Sequence, residues 1–240
     1  AQAERVRNYM NYQITYEMEE YDPELDQMLF YLPIVGSAFK KVYLDPSLQR
    51  AVSKFVHSED LIVPYNATDL ATATRITHCI RMDKNEIRKL QLAGFYIDID
   101  LPTSGADSDT MNDVRDAINE IEGISGNSTQ NEDMTIYEVH TNLDIEGFED
   151  IGSDGEPTGL KMPYIVTIME DSGDILSIKR NFNESDPLRR KIPYFVHYKF
   201  LPGLGFYGFG LTHTIGGLSR ASTSILRQLI DAGTLSNLPA

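Results

Sequence analysis

The 240-residue sequence has no tryptophan, a single cysteine, and only 21 basic residues against 36 acidic ones. One cysteine excludes an intrachain disulfide, which fits a reducing compartment. Cys79 lies in Ile76-Thr77-His78-Cys79-Ile80, a run that reads as a buried strand in which the thiol packs as a small hydrophobe. No apolar run approaches the roughly 18–20 residues that a membrane span needs. The polar opening Ala1 to Arg7 does not have the form of a signal peptide. The chain opens on alanine rather than methionine, so it is expected to be processed or cut from a longer protein.

The charge is unevenly placed. Net charge is −15, and residues 98–156 hold almost all of the acid excess, with Arg115 their only Lys or Arg. Phosphate contacts need Lys and Arg, so such a chain is not expected to grip nucleic acid tightly. A surface of this sign repels a polyanion and lets it slide. A solvated acidic loop is the plainer reading of most of the segment.

Hydrophobic spacing and breakers predict an α+β chain. Residues 3–20 read as a helix, and Asp22-Pro23 starts a second one running from Pro23 to about Tyr31, with Pro33 and Gly36 as its terminators. A β-rich region follows. Ala38 to Leu44 and Ala51 to Val56 form a hairpin about Asp45-Pro46-Ser47, and Leu61 to Tyr65 and Arg75 to Met82 are further strands. Asp83 caps a short helix, Lys84 to Leu92, closed by Gly94. Residues 103–135 form a polar acidic excursion with an amphipathic helix from Thr110 to Ile121.

Ile136 to Ile145, Pro163 to Glu170, Ile175 to Arg180 and Tyr194 to Leu201 then make an antiparallel meander. The second of these is apolar on both faces and is expected inside the sheet. A glycine-rich connector, Gly203 to Gly217, leads to a helix from about Leu218 to Ala232, capped by Ser219 or Ser222. The expected architecture is therefore an antiparallel or mixed sheet flanked by N-terminal helices and a C-terminal helix. The expected segments are 1–36, helical, 37–202, β-rich, and 203–240, connector and helix.

Sites with chemistry are scarce. Gly203-Leu204-Gly205-Phe206-Tyr207-Gly208 matches GxGxxG, but no βαβ unit follows, so the glycines read as a tight connector. Asp150 to Gly155 starts like a calcium loop, yet its twelfth position is Lys161, and a hairpin turn fits better. His57, His78, His140, His197 and His213 have no zinc-type spacing and read as structural or surface histidines. No catalytic, cofactor-binding or metal-binding residue is assigned. The candidate contact residues are Phe206, Tyr207 and Phe209 in the connector and Ile225, Leu226, Leu229 and Ile230 on the last helix. Aromatics on a glycine-flexible segment bury against a partner or under their own helix. The helical stripe is expected to be partly exposed, because a neighbouring subunit would cover it.

Several stretches carry a resemblance. They are Arg7-Asn8-Tyr9-Met10-Asn11-Tyr12, Gly36 to Tyr43, Glu59 to Tyr65 with Arg75 to His78, Leu143 to Phe148, and Gly159 to Thr167. The end is the strongest: Pro202-Gly203-Leu204-Gly205-Phe206-Tyr207-Gly208-Phe209-Gly210-Leu211, then Leu226 to Leu235. Together they resemble the portal proteins of tailed bacteriophages, of a podovirus-like and prophage branch. The resemblance implies a non-enzymatic subunit of a ring, usually of twelve copies, at one capsid vertex of the virion, assembled in the bacterial cytoplasm. Its implied partners are further copies of itself, capsid and scaffold proteins, terminase and the tail adaptor. Double-stranded DNA would pass through the ring without sequence-specific binding, with no cofactor and no membrane. The chain matches the wing of such a subunit and the helix leaving it, while stem, clip and crown are expected outside it. An adaptor-like or other acidic interaction module is the alternative, and an enzyme with an unrecognised carboxylate or nucleotide site a third.

Overall fold

A computed structural model describes residues 2–45, 48–101, 133–151 and 156–236. They divide into two compact units that do not follow chain order. One holds residues 1–59, 66–72 and 193–240, and the other residues 60–65 and 73–192. Among the described residues there are four α-helices and two sheets, and every strand pairing is antiparallel.

In the first unit, helix α1, Gln2–Tyr12, runs into a π-helical turn, Gln13–Glu17, rather than continuing as the regular helix expected to residue 20. Helix α2, Tyr21–Val35, is longer than expected at both ends. Its N-cap is Glu20 rather than Asp22, and Pro33 sits inside its last turn. A proline is tolerated there because tertiary contacts hold the turn and Gly36 ends it in the left-handed region, φ +97°.

Strands β1, Ser37–Asp45, and β2, Arg50–Val56, form the expected hairpin, with Leu44 opposite Ala51. Strand β8, Phe195–Lys199, returns to the other side of β1. Helix α2 lies on this sheet through Met28 and Tyr31, whose ring meets Phe55 edge-on and contacts His57. The helix also closes the β2 edge. The Phe55 N–H donates to Glu24 Oε2 at 2.6 Å, and Arg50 pairs with Glu20 at 2.8 Å. Capping an edge strand with carboxylates removes it as a template for another strand. Lys40 is buried with Nζ 4.3 Å from the centre of the Tyr21 ring. Burial pulls its amine below the ordinary lysine range, against the opposing pull of Glu24 and Asp22.

The second unit is a five-stranded sheet in the order β3-β4-β5-β6-β7. The strands are Leu61–Ile62, Arg75–Asp83, Asp133–Leu143, Met162–Met169 and Ile175–Arg180. Helix α3, Lys84–Leu92, follows β4, with the Asp83 carboxylate accepting from the Asn85 N–H as expected. Ile87 packs with Met134, Ile136, Met169 and Leu176 on one face of the sheet. Met162, Tyr164 and Val166 form a second cluster with Ile168 and Phe182. Strand β6 thus lies between β5 and β7 and is buried on both faces, which its unbroken apolar run requires. The excursion and its helix from Thr110 to Ile121 fall outside the described residues, apart from the start of β5. Ile151 and Pro157 form an isolated antiparallel bridge, and the rest of the expected Asp150 to Gly155 turn falls outside the described residues.

Cys79 is buried in β4, and burial pushes its thiol up to about 11, helped by Asp60 and Glu170. The thiolate is the reactive form, so alkylation of the folded protein at mildly alkaline pH is expected to be slow and to speed up on unfolding in urea. Equal rates in both states, read by mass spectrometry, would contradict that placement.

The candidate subunit-contact surface

Glycine makes the connector possible. Helix α2 ends on Gly36, and the returning segment Gly208 to Gly210 crosses directly over that point. A β-carbon on Gly36 would lie 2.3 Å from the Gly210 nitrogen and 2.4 Å from the Phe209 carbonyl carbon. One on Gly210 would lie 2.3 Å from the Ile34 oxygen, and one on Gly208 would lie 2.6 Å from the Gly36 oxygen. Backbone therefore packs on backbone, a contact open only to residues without a side chain. Leu201 and Phe209 exchange N–H···O bonds of 3.2 and 2.8 Å across the loop, and the Phe200 N–H donates to the Gly36 oxygen at 3.0 Å.

Inside this loop the three connector aromatics separate. Phe206 is 6% exposed and packs on His197, 4.8 Å between ring centres, and on Phe39, 5.9 Å. His197 lies 4.4 Å from Phe39, so one imidazole is enclosed by two phenyl rings. Its Nε2 lies 3.3 Å from Ser37 Oγ, and that oxygen accepts from the Gly208 N–H at 2.8 Å. Burial drops the His197 imidazole to about 4, with nearby Lys199 adding to the effect. His197 is thus neutral at pH 7, and its contact with Ser37 completes a chain from connector to sheet. Tyr207 and Phe209, at 46% and 47% exposed, present aromatic surface outward.

Helix α4, Leu211–Ser236, has 26 residues and is about 39 Å long. It starts seven residues before the expected Leu218, so Gly216 and Gly217 are helical rather than connector. Ser219 and Ser222 lie within it and are not its caps. The start is held instead by His213, whose Nδ1 accepts from the Gly210 N–H at 3.1 Å, and by the Thr212 hydroxyl donating to the Ile34 oxygen. A glutamate or glutamine does the same in a capping box, and histidine in that position carries no familiar sequence signal.

Ile225, Leu226, Leu229 and Ile230 are 57–64% exposed, and Ile215 and Leu218 are exposed with them. A helix this long draws most of its stability from burying one face, and this face is bare within the unit. The connector aromatics and the helical stripe therefore do different things locally: Phe206 is core, whereas Tyr207, Phe209 and the stripe are surface. Spacing showed the stripe but not the Gly36 crossing, which pairs segments some 170 residues apart.

Gly203 to Gly208 follows an antiparallel edge strand, and Lys199 donates into the loop at the Gly205 oxygen. Among the described residues no group of three or more His, Cys, Asp or Glu could hold a metal ion. No described helix is long and apolar enough to cross a membrane.

No curated protein matches the chain. A protein-family model for the phage SU10 portal protein matches residues 41–240, a span that takes in the end of β1, every later strand, the Gly203 to Gly210 connector and the whole of α4. Covering most of the sequence, that match places the chain in the phage SU10 portal protein family.

Proposed function

We propose that this chain is the wing-like part of a structural subunit that assembles into a portal ring, usually of twelve copies, at one vertex of the capsid. The ring is a conduit for DNA during packaging and ejection, and a docking site for terminase and the tail adaptor. Capsid and scaffold proteins hold it in the shell. The work is done by shape and assembly rather than by chemistry.

The observation that carries this reading is the bare apolar face of α4, together with membership of a portal family. Burying four such side chains on a neighbour would contribute on the order of 4–7 kcal/mol per subunit before association costs. A head-to-tail contact of this kind generates a closed ring when the rotation closes. The acid excess of residues 98–156 suits a protein that surrounds DNA without gripping it broadly.

The test is negative-stain electron microscopy of the complete gene product. Rings are expected, and the double substitution Ile225→Ser with Leu229→Ser is expected to disperse them while far-ultraviolet circular dichroism is kept. A product that stays monomeric at high concentration, with or without capsid and scaffold proteins, would sink the proposal.

A further inference from the structure

We infer that the face of α4 bearing Arg220 and Arg227 is the surface that meets the phosphate backbone of duplex DNA, an assignment that rests on the conduit reading above. At about 100° per residue, Gly216, Arg220, Thr223 and Arg227 fall within one sector of the helix, with Leu218, Ile225 and Leu229 on the opposite side, while Leu226 flanks that sector and Ile230 borders it. If Ile225 and Leu229 are covered by protein, the arginine sector points away from that contact.

Three features of the face fit a polyanion. First, both arginines are exposed, and neither makes an ion pair among the described residues. Arg50, Arg88, Arg180, Arg189 and Arg190 each have a carboxylate partner instead. Second, the residues between the guanidinium groups are small or hydroxylated. Gly216, Ser219, Thr223 and Ser224 line a shallow open depression with the two arginines. A low surface of hydroxyls flanked by guanidinium groups lets a phosphate chain approach closely, and these are side chains that commonly bond phosphate oxygens.

Third, the charges are sparse. Arg220 and Arg227 are two helical turns apart, about 10.5 Å along the axis. Asp231, one turn beyond Arg227, is the acid on the same side. Two spaced cations on each subunit of a chain with net charge −15 favour weak, sequence-independent contact rather than a tight grip. Repeated around a ring, such contacts would form two tiers of guanidinium groups, weak singly and additive together.

The experiment is binding of the complete gene product to a short mixed-sequence duplex, by fluorescence anisotropy across a series of low salt concentrations. The wild type is expected to bind weakly and with salt dependence. Arg220→Gln with Arg227→Gln is expected to lower the slope of log affinity against log salt by about 2 for each subunit that touches the duplex, since each phosphate contact contributes about 0.9. Arg75→Gln with Arg81→Gln, exposed on the other unit, should leave the slope as in wild type. No salt-dependent binding by the wild type, or an unchanged slope in the Arg220 and Arg227 variant, would overturn the assignment. So would an equal loss in the Arg75 and Arg81 control. Electron microscopy of the same samples separates the two ideas. Rings without the slope change sink only the arginine assignment, whereas the slope change without rings supports it and sinks the ring.

Discussion

Gly36→Ala is expected to remove about 2–5 kcal/mol of stability from the first unit. Two costs combine. At φ +97° a side chain is strained by about 1–2 kcal/mol. The new β-carbon would also meet the Gly210 nitrogen at 2.3 Å and the Phe209 carbonyl carbon at 2.4 Å. Those are backbone atoms in a hydrogen-bonded crossing, so relief requires the whole connector to move, an overpacking cost of about 1–3 kcal/mol. Gly205→Ala is the control, because its glycine has an ordinary φ and no atom within 4 Å of the added carbon. It should shift stability by no more than about 0.5 kcal/mol. Urea unfolding followed by circular dichroism measures both. Equal midpoints for the two variants would show that the crossing contributes little.

Acid should loosen the same crossing through His197. The imidazole sits at about 4 when folded and near 6.5 when unfolded, with burial as the main cause. Above pH 6.5 it is neutral in both states, and the packing of Phe39, His197 and Phe206 is fully stabilising. As pH falls from 6.5 towards 4, the unfolded chain binds a proton that the folded one resists, so stability drops through that window. At about 1.4 kcal/mol per pH unit the ceiling is roughly 3 kcal/mol, and partial solvent exposure brings it to about 2 kcal/mol. His197→Gln keeps a hydrogen-bonding group for Ser37 and cannot titrate. Between pH 7 and pH 4.5 its stability should therefore fall by about 2 kcal/mol less than that of the wild type. Parallel pH profiles for the two proteins would remove His197 as the cause.

Much of this architecture is legible residue by residue. The hairpin about Asp45, the cap at Asp83, the strand from Ile175 to Arg180 and the doubly buried β6 follow from turn chemistry and from periods of two. The amphipathic stripe of α4 was equally visible. Its start was not, because Gly216 and Gly217 read as breakers. Each costs about 1 kcal/mol in a helix, which a cap by His213 and Thr212 and 26 residues of hydrogen bonding outweigh. Pro33 misled for the same reason, since docking of α2 on β1 and β2 holds a turn that local propensity disfavours. The two-sheet division was also hidden, because Phe195 to Lys199 pairs with β1 and not with the strands that precede it.

Local chemistry alone settled the element types, the uneven charge and the absence of recognisable catalytic spacing, because each depends on neighbours a few residues away. Long-range packing decided the rest. It made Phe206 core while leaving Tyr207 and Phe209 outside, and it turned a GxGxxG run into a backbone crossing at Gly36. It also enclosed His197 between two rings. These outcomes depend on residues from opposite ends of the chain meeting at distances where one methyl group does not fit, and no period in the sequence encodes that meeting.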